Sequence, residues 1–328
     1  MNKKQLAVFF LCIFASGILG YFLSYRHYKK NEKLVLGQIK SIRENGDYKF
    51  INPLLAYDLP ESKELGEYLE LREKLSNLVD QQKKQGKADE ISIYFRGNQG
   101  RWVGINQDSD YYPASLLKVV VMIAYYQQAQ SNKEILNKQL KYTADIKNTF
   151  RYSNYDSPSL LNLNASYSVE ELIRYMIVDS DNGATYTLIN SLGEKVLDEV
   201  YADFGLQGPS DSQYTISAKN YALFFRVLYN ATYLNREYSE KALTLLSETT
   251  YKDGLVSGLS EGTVLAHKFG EHVLTDNIGK QIGVELHDCG IIYTEPSFLL
   301  CVMSRGKNIN DLKSVIKDIA GLVSKEVK

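Results

Sequence analysis

Residues 113–124 read Pro-Ala-Ser-Leu-Leu-Lys-Val-Val-Val-Met-Ile-Ala, and this stretch governs the reading of the rest of the chain. Pro113 and Ala114 introduce a helix, and the run Val119 to Ala124 is apolar on every side, so that helix is buried. Ser115 and Lys118 stand three residues apart at its start, on one helical face. A serine hydroxyl is a poor nucleophile at neutral pH and needs a nearby base. Burial and the positive end of the helix dipole both lower a lysine's pKa, which permits a neutral amine that takes the serine proton. The plain alternative is a capping serine with a surface lysine. A second Ser-x-x-Lys at Ser304 and Lys307 shows how little that spacing says by itself.

Two further segments give the pair a context. Ser180-Asp181-Asn182 follows Ile173, Met176, Ile177 and Val178, a buried helical pattern, so it falls on a short loop or helix start. A second hydroxyl there can relay a proton to a leaving nitrogen, and the Asn182 amide can hold a peptide group. Ser, Asp and Asn are also favoured helix caps, which is the competing explanation. Lys268-Phe269-Gly270 ends a strand-like run. A cation at Lys268 would hold a substrate carboxylate, and Gly270 lets substrate approach the backbone. An edge strand often carries such a lysine for solubility alone.

Around these segments the pattern is mixed. Leu65, Tyr68, Leu69, Leu75, Leu78 and Val79 repeat at helical spacing up to Gly86. Ile91–Phe95 and Trp102–Ile105 read as a hairpin across Gly97–Gly100. Residues 130–262 are mainly helical, with a capping box at Ser168 to Glu171, a helix from Ser217 to Tyr229 and another opening at Ser239. Strands return at Val264–Lys268, Val284–Tyr293 and Phe298–Met303, and an amphipathic helix carrying Leu312, Val315, Ile316, Ile319 and Val323 closes the chain. The expectation is an α/β fold of the α+β type, an antiparallel five-stranded sheet flanked by helices plus a helical lobe at about 130–262.

The composition excludes several classes. Apolar residues make up 44% and charged residues 23%, which suits a globular core. The net charge is −1 and the basic residues are dispersed, so no nucleic-acid surface is expected. His27, His267, His272 and His287 have no cluster at metal-ligand spacing, so neither metal nor cofactor is expected. Cys289 and Cys301 fall in adjacent strand-like segments; two buried thiols are expected, with a disulfide left to geometry.

Gln5 to Tyr25 is an uncharged run of 21 residues, long enough to span a bilayer as a helix. The expected organisation is a membrane anchor over 1–25, a stalk over 26–60 and a catalytic domain over 61–328. A cleaved signal peptide with secretion is the alternative. Lys3 and Lys4 precede the run while Arg26, Lys29, Lys30 and Lys33 follow it, a charge balance that favours a cytoplasmic domain. The chemistry argues for an extracytoplasmic one.

From about Glu61 onward the chain resembles class A β-lactamases and their penicillin-interacting relatives. The similarity extends beyond the three short motifs to ISIYFRGNQGRWVGINQDSDYYPASLLKVVVMIAYY, SVEELIRYMIVDSDNGAT and DCGIIYTEPSFLLCVMSRG. The resemblance implies Ser115 as nucleophile, Lys118 as base or proton relay, Ser180 as proton shuttle, Asn182 as amide binder and Lys268 as carboxylate anchor. It implies an oxyanion hole from the backbone N–H groups of Ser115 and Glu271, each donor contributing roughly 3–4 kcal/mol in the transition state. The implied partners are β-lactams or D-Ala-D-Ala-type stem peptides, handled by a β-lactamase-like hydrolase, a D,D-peptidase or a non-turnover sensing module. Two departures matter. Phe269 replaces a hydroxyl residue, with Glu271 close behind to repel an acidic substrate. The segment Phe204–Ala218 contains no glutamate to activate a deacylating water, which predicts slow release.

Overall fold

The computed structural model describes Gln5 and residues 42–44, 46–56, 68–97, 100–143, 155–211 and 214–327. The chain forms two compact units, residues 1–43 with 55–61, and residues 44–54 with 62–328. Of the Gln5–Tyr25 run expected to anchor the chain, all but Gln5 lies outside the described residues. Among the described residues no helix is long and apolar enough to cross a membrane.

The centre of the larger unit is a five-stranded antiparallel sheet made of β1 (Glu90–Gly97), β2 (Trp102–Ile105), β3 (Val264–Thr275), β4 (Gln281–Tyr293) and β5 (Phe298–Gly306), in the order β2-β1-β5-β4-β3. Two helices cover one face: α1 (Leu69–Lys84) and the closing helix α8 (Ile309–Glu326). Alternation sends Ile91, Ile93 and Phe95 of β1 and Leu300 and Val302 of β5 into one core with Leu75, Leu312, Val315, Ile316 and Ile319. Each of those side chains contributes roughly 1.5–3 kcal/mol by leaving water. The other face, with Tyr94, Cys289, Cys301 and Met303, packs against the helical lobe.

That lobe comprises α2 (Leu117–Ala129), α3 (Val169–Val178), α4 (Asn182–Leu192), α5 (Glu194–Asp203), α6 (Ala218–Tyr229) and α7 (Arg236–Ser247). Helix α2 is buried along its length from Lys118 to Tyr126, as its all-round apolar pattern requires. Ser168 and Glu171 form the expected capping box at α3, and Ser217 caps α6 through the Asn220 N–H. The helix expected to open at Ser239 instead starts one turn earlier. Asn235 caps it by accepting from the Tyr238 N–H, and the buried Ser239 hydroxyl donates back to Leu234 O.

Two other expectations change. Cys289 and Cys301 stand directly opposite in the β4–β5 register and form a disulfide, not two free thiols. Part of the expected 26–60 stalk, residues 44–54, belongs to the larger unit. The N–H groups of Lys49, Phe50 and Ile51 donate to the Glu240 carboxylate, and Tyr293 donates its hydroxyl to Phe50 O. Phe50 and Ile51 are buried, so this strap is held by core packing as well as hydrogen bonds.

Candidate active site

Ser115 lies in a 3₁₀ turn, Ala114–Leu116, directly before α2. Ala114 has φ +49°, a left-handed conformation that costs a non-glycine residue about 1–3 kcal/mol and persists only where surroundings hold it. Strand β3 supplies part of that hold. A Cβ on Gly270 would come within 2.9 Å of Pro113 O and 3.2 Å of Leu116 N. Gly270 therefore makes room for the serine's own turn. From α6, Tyr221 donates to Leu116 O at 3.0 Å.

Lys118 is buried, and its Nζ donates to Ser180 O (2.6 Å), Ser180 Oγ (3.0 Å) and Asn182 Oδ1 (2.8 Å). Lys268 Nζ donates to the same Ser180 Oγ at 2.9 Å and to Phe269 O at 3.1 Å. Ser180 thus sits between two lysines, in a left-handed loop conformation with φ +57°. Within its triplet only Asp181 acts as the cap, accepting from the Ala184 N–H at 2.6 Å. Ser180 and Asn182 are left for Lys118. Tyr142, which carries no sequence signal, donates to Asp181 Oδ1 at 3.3 Å and steadies that cap.

Burial pulls the Lys118 ammonium down to about 7, against the opposing pull of the Asp181 charge. Burial also pushes Lys268 well below its ordinary value, the Lys118 charge adds to this, and Asp288 opposes both. A neutral Lys118 keeps two N–H donors and gains a lone pair, into which the Ser180 hydroxyl can donate. The cluster is therefore a hydrogen-bonded chain, Lys118–Ser180–Lys268, with a buried ionisable amine at each end.

Lys268 lies in the middle of β3, not at a strand end. Its neighbour Phe269 is buried, stacked on Tyr251 with centroids 3.8 Å apart, and met edge-on by Tyr155 at 4.7 Å. Glu271, two residues on, shares that face by strand alternation; burial raises the Tyr251 pKa, and the charges of Asp288, Asp253 and Glu271 add to it. By that alternation the Glu271 side chain lies on the face opposite Lys268. Beneath Phe269, His267 Nδ1 donates to Asp288 Oδ1 at 2.8 Å while Nε2 meets the Thr249 hydroxyl at 2.7 Å. Among the described residues no His, Cys, Asp or Glu group could hold a metal.

A helical lobe packs against a five-stranded antiparallel sheet, with the Lys118–Ser180–Lys268 cluster at their junction. The sequence model of the β-lactamase enzyme family matches residues 70–327, and the chain belongs to that family. No curated protein matches it. Among solved structures, PBP-A is similar at TM-score 0.67 and 20% identity over 82% of this chain and 99% of that one. A penicillin G acyl-enzyme complex of a PBP-A mutant aligns at 0.66 and 19%, again over 82% and 99%. A class A β-lactamase from Bacteroides cellulosilyticus aligns at 0.66 and 17%, over 78% and 98%. At these identities the likeness speaks for the fold.

Proposed function

We propose that this domain is acylated at Ser115 by β-lactams or D-Ala-D-Ala-type peptides and releases the product slowly. The observation that carries the reading is Lys118, buried and hydrogen-bonded to both Ser180 and Asn182 one helical turn from Ser115. Neutral Lys118 takes the Ser115 proton as Oγ attacks the carbonyl, and Ser180 passes a proton to the leaving nitrogen while Lys268 donates to its oxygen. The N–H groups of Ser115 and Glu271 stabilise the oxyanion; the close approach of Gly270 to the serine's turn supports that pairing. Among the described residues the hydrogen bonds of Lys118, Ser180 and Lys268 reach no carboxylate side chain, and the 204–218 segment holds Asp211 but no glutamate. Without general-base assistance, which typically contributes 10²–10⁴-fold, the acyl-enzyme should persist.

Incubation of the purified domain with a fluorescent penicillin tests this. Slow labelling that decays slowly is expected, and Ser115→Ala should take no label. Rapid multiple turnover would overturn the slow-release reading, and an adduct on Ser115→Ala would overturn the nucleophile. We also place the domain outside the cytoplasm, anchored through Gln5–Tyr25; the Cys289–Cys301 disulfide supports an oxidising compartment.

A further inference from the structure

We propose that His287, with Glu285, is a positioning residue for Ser115, holding the peptide from which the serine's turn departs; this rests on the reading of Ser115 as nucleophile. Both side chains come from β4 and are buried, at 0% and 1% exposure. His287 Nε2 donates to Tyr112 O at 3.1 Å, and the Tyr112 N–H donates to Glu285 Oε2 at 3.3 Å. One residue thus has its carbonyl and its amide both fixed by side chains of a single strand. Glu285 is itself held: Arg305 Nε and Nη2 donate to Oε1 at 2.8 and 2.7 Å. Arg305 also donates to Asp110 O at 3.3 Å and pairs with Glu90 at 2.9 Å, and Tyr111 packs edge-on to the His287 ring at 5.2 Å.

From Tyr112 to Ser115 the chain has little freedom. Pro113 fixes one φ near −67°, and Ala114 is the left-handed residue. His287 and Gly270 are direct partners in the β3–β4 register. The pair forms the seat of the turn: glycine supplies the space, and histidine the donor. Packing alone does not account for a histidine here. Its buried Nδ1 has no hydrogen-bond partner among the described residues, a cost that a plain aromatic or aliphatic side chain would avoid. The Nε2 bond to Tyr112 offsets it.

The test compares His287→Gln, which keeps an N–H donor, with His287→Phe, which keeps a ring without one. Acylation by fluorescent penicillin is followed to saturation, together with hydrogen exchange of the Ala114–Lys118 amides. A misplacement of about 1 Å can cost roughly 100-fold, so His287→Phe should lower the maximal acylation rate roughly 10- to 100-fold while His287→Gln stays within about threefold. Half-saturation should change little, and exchange should quicken in the Phe variant alone. If Phe prevents folding, His287→Leu carries the same comparison. Wild-type acylation and exchange in a donor-free variant would overturn the proposal, as would unfolding of all three variants. Should the wild type take no label, the nucleophile reading fails by itself, and the exchange comparison still decides this one.

Discussion

Lys268 and Phe269 are neighbours on β3, an edge strand, yet they answer to different surroundings. Lys268 turns to the helical lobe, where Ser180 Oγ and Phe269 O take its N–H groups and, among the described residues, no carboxylate hydrogen-bonds to it. Phe269 turns to the side carrying α1 and α8, joining Tyr251 and Tyr155 in an aromatic stack. The ammonium still lies 4.2 Å from the Phe269 ring centroid, a cation–π contact worth about 0.5–2 kcal/mol. The contrast teaches that one face of the strand carries a buried polar cluster and the other packs aromatic rings. A side chain's effect on the chemistry follows from its face more than from its distance in sequence from Ser115.

The sharpest way to break this contrast acts on the polar face. Lys118→Arg keeps the charge, but guanidinium does not give up its proton in proteins, so acylation should fall by roughly 10²–10⁴-fold. Near wild-type labelling by that variant, measured by intact-mass spectrometry over time, would mean that only a positive charge is needed there.

A smaller effect sharpens the same point. With Lys118 held at about 7 in the folded protein, its neutral fraction falls as pH drops below that value. Acylation should lose about tenfold per pH unit below 7 and level off above it. A profile flat between pH 6 and 8 would contradict the neutral-base role. The smallest expected effect lies on the packing face. Glu271→Gln should change acylation by no more than roughly twofold, the consequence of about 0.5 kcal/mol, because its side chain does not face the cluster. A tenfold gain with a carboxylate-bearing β-lactam would show that Glu271 does reach the substrate.

Much of the fold was legible in the sequence because local patterns and tertiary demands agree. The capping box at Ser168, the all-apolar run after Lys118 and the alternating strands each mark an element that the structure contains. The failures have a common cause. Ser239 reads like a cap, but Asn235 reaches the free N–H groups first. Residues 44–54 look like a polar linker until Glu240, far along the chain, gathers their amides. Gly270 also leaves the room that the Ser115 turn needs, which no local pattern announces.

The sequence by itself determined which chemical groups are present and, through helical and strand periods, which elements carry them: Ser115 and Lys118 one turn apart, Ser180 and Asn182 at a helix start, Lys268 on a strand. Only the tertiary structure decided which of these groups share a hydrogen bond, that Lys118 is a buried amine with a depressed pKa, and that Phe269 and Glu271 face away from it. Helix and strand periods are local, set by backbone geometry within a few residues. Burial, charge neighbours and donor–acceptor pairing instead depend on segments 60 to 90 residues apart, such as Lys118 with Ser180 and Ser180 with Lys268, meeting in one desolvated space.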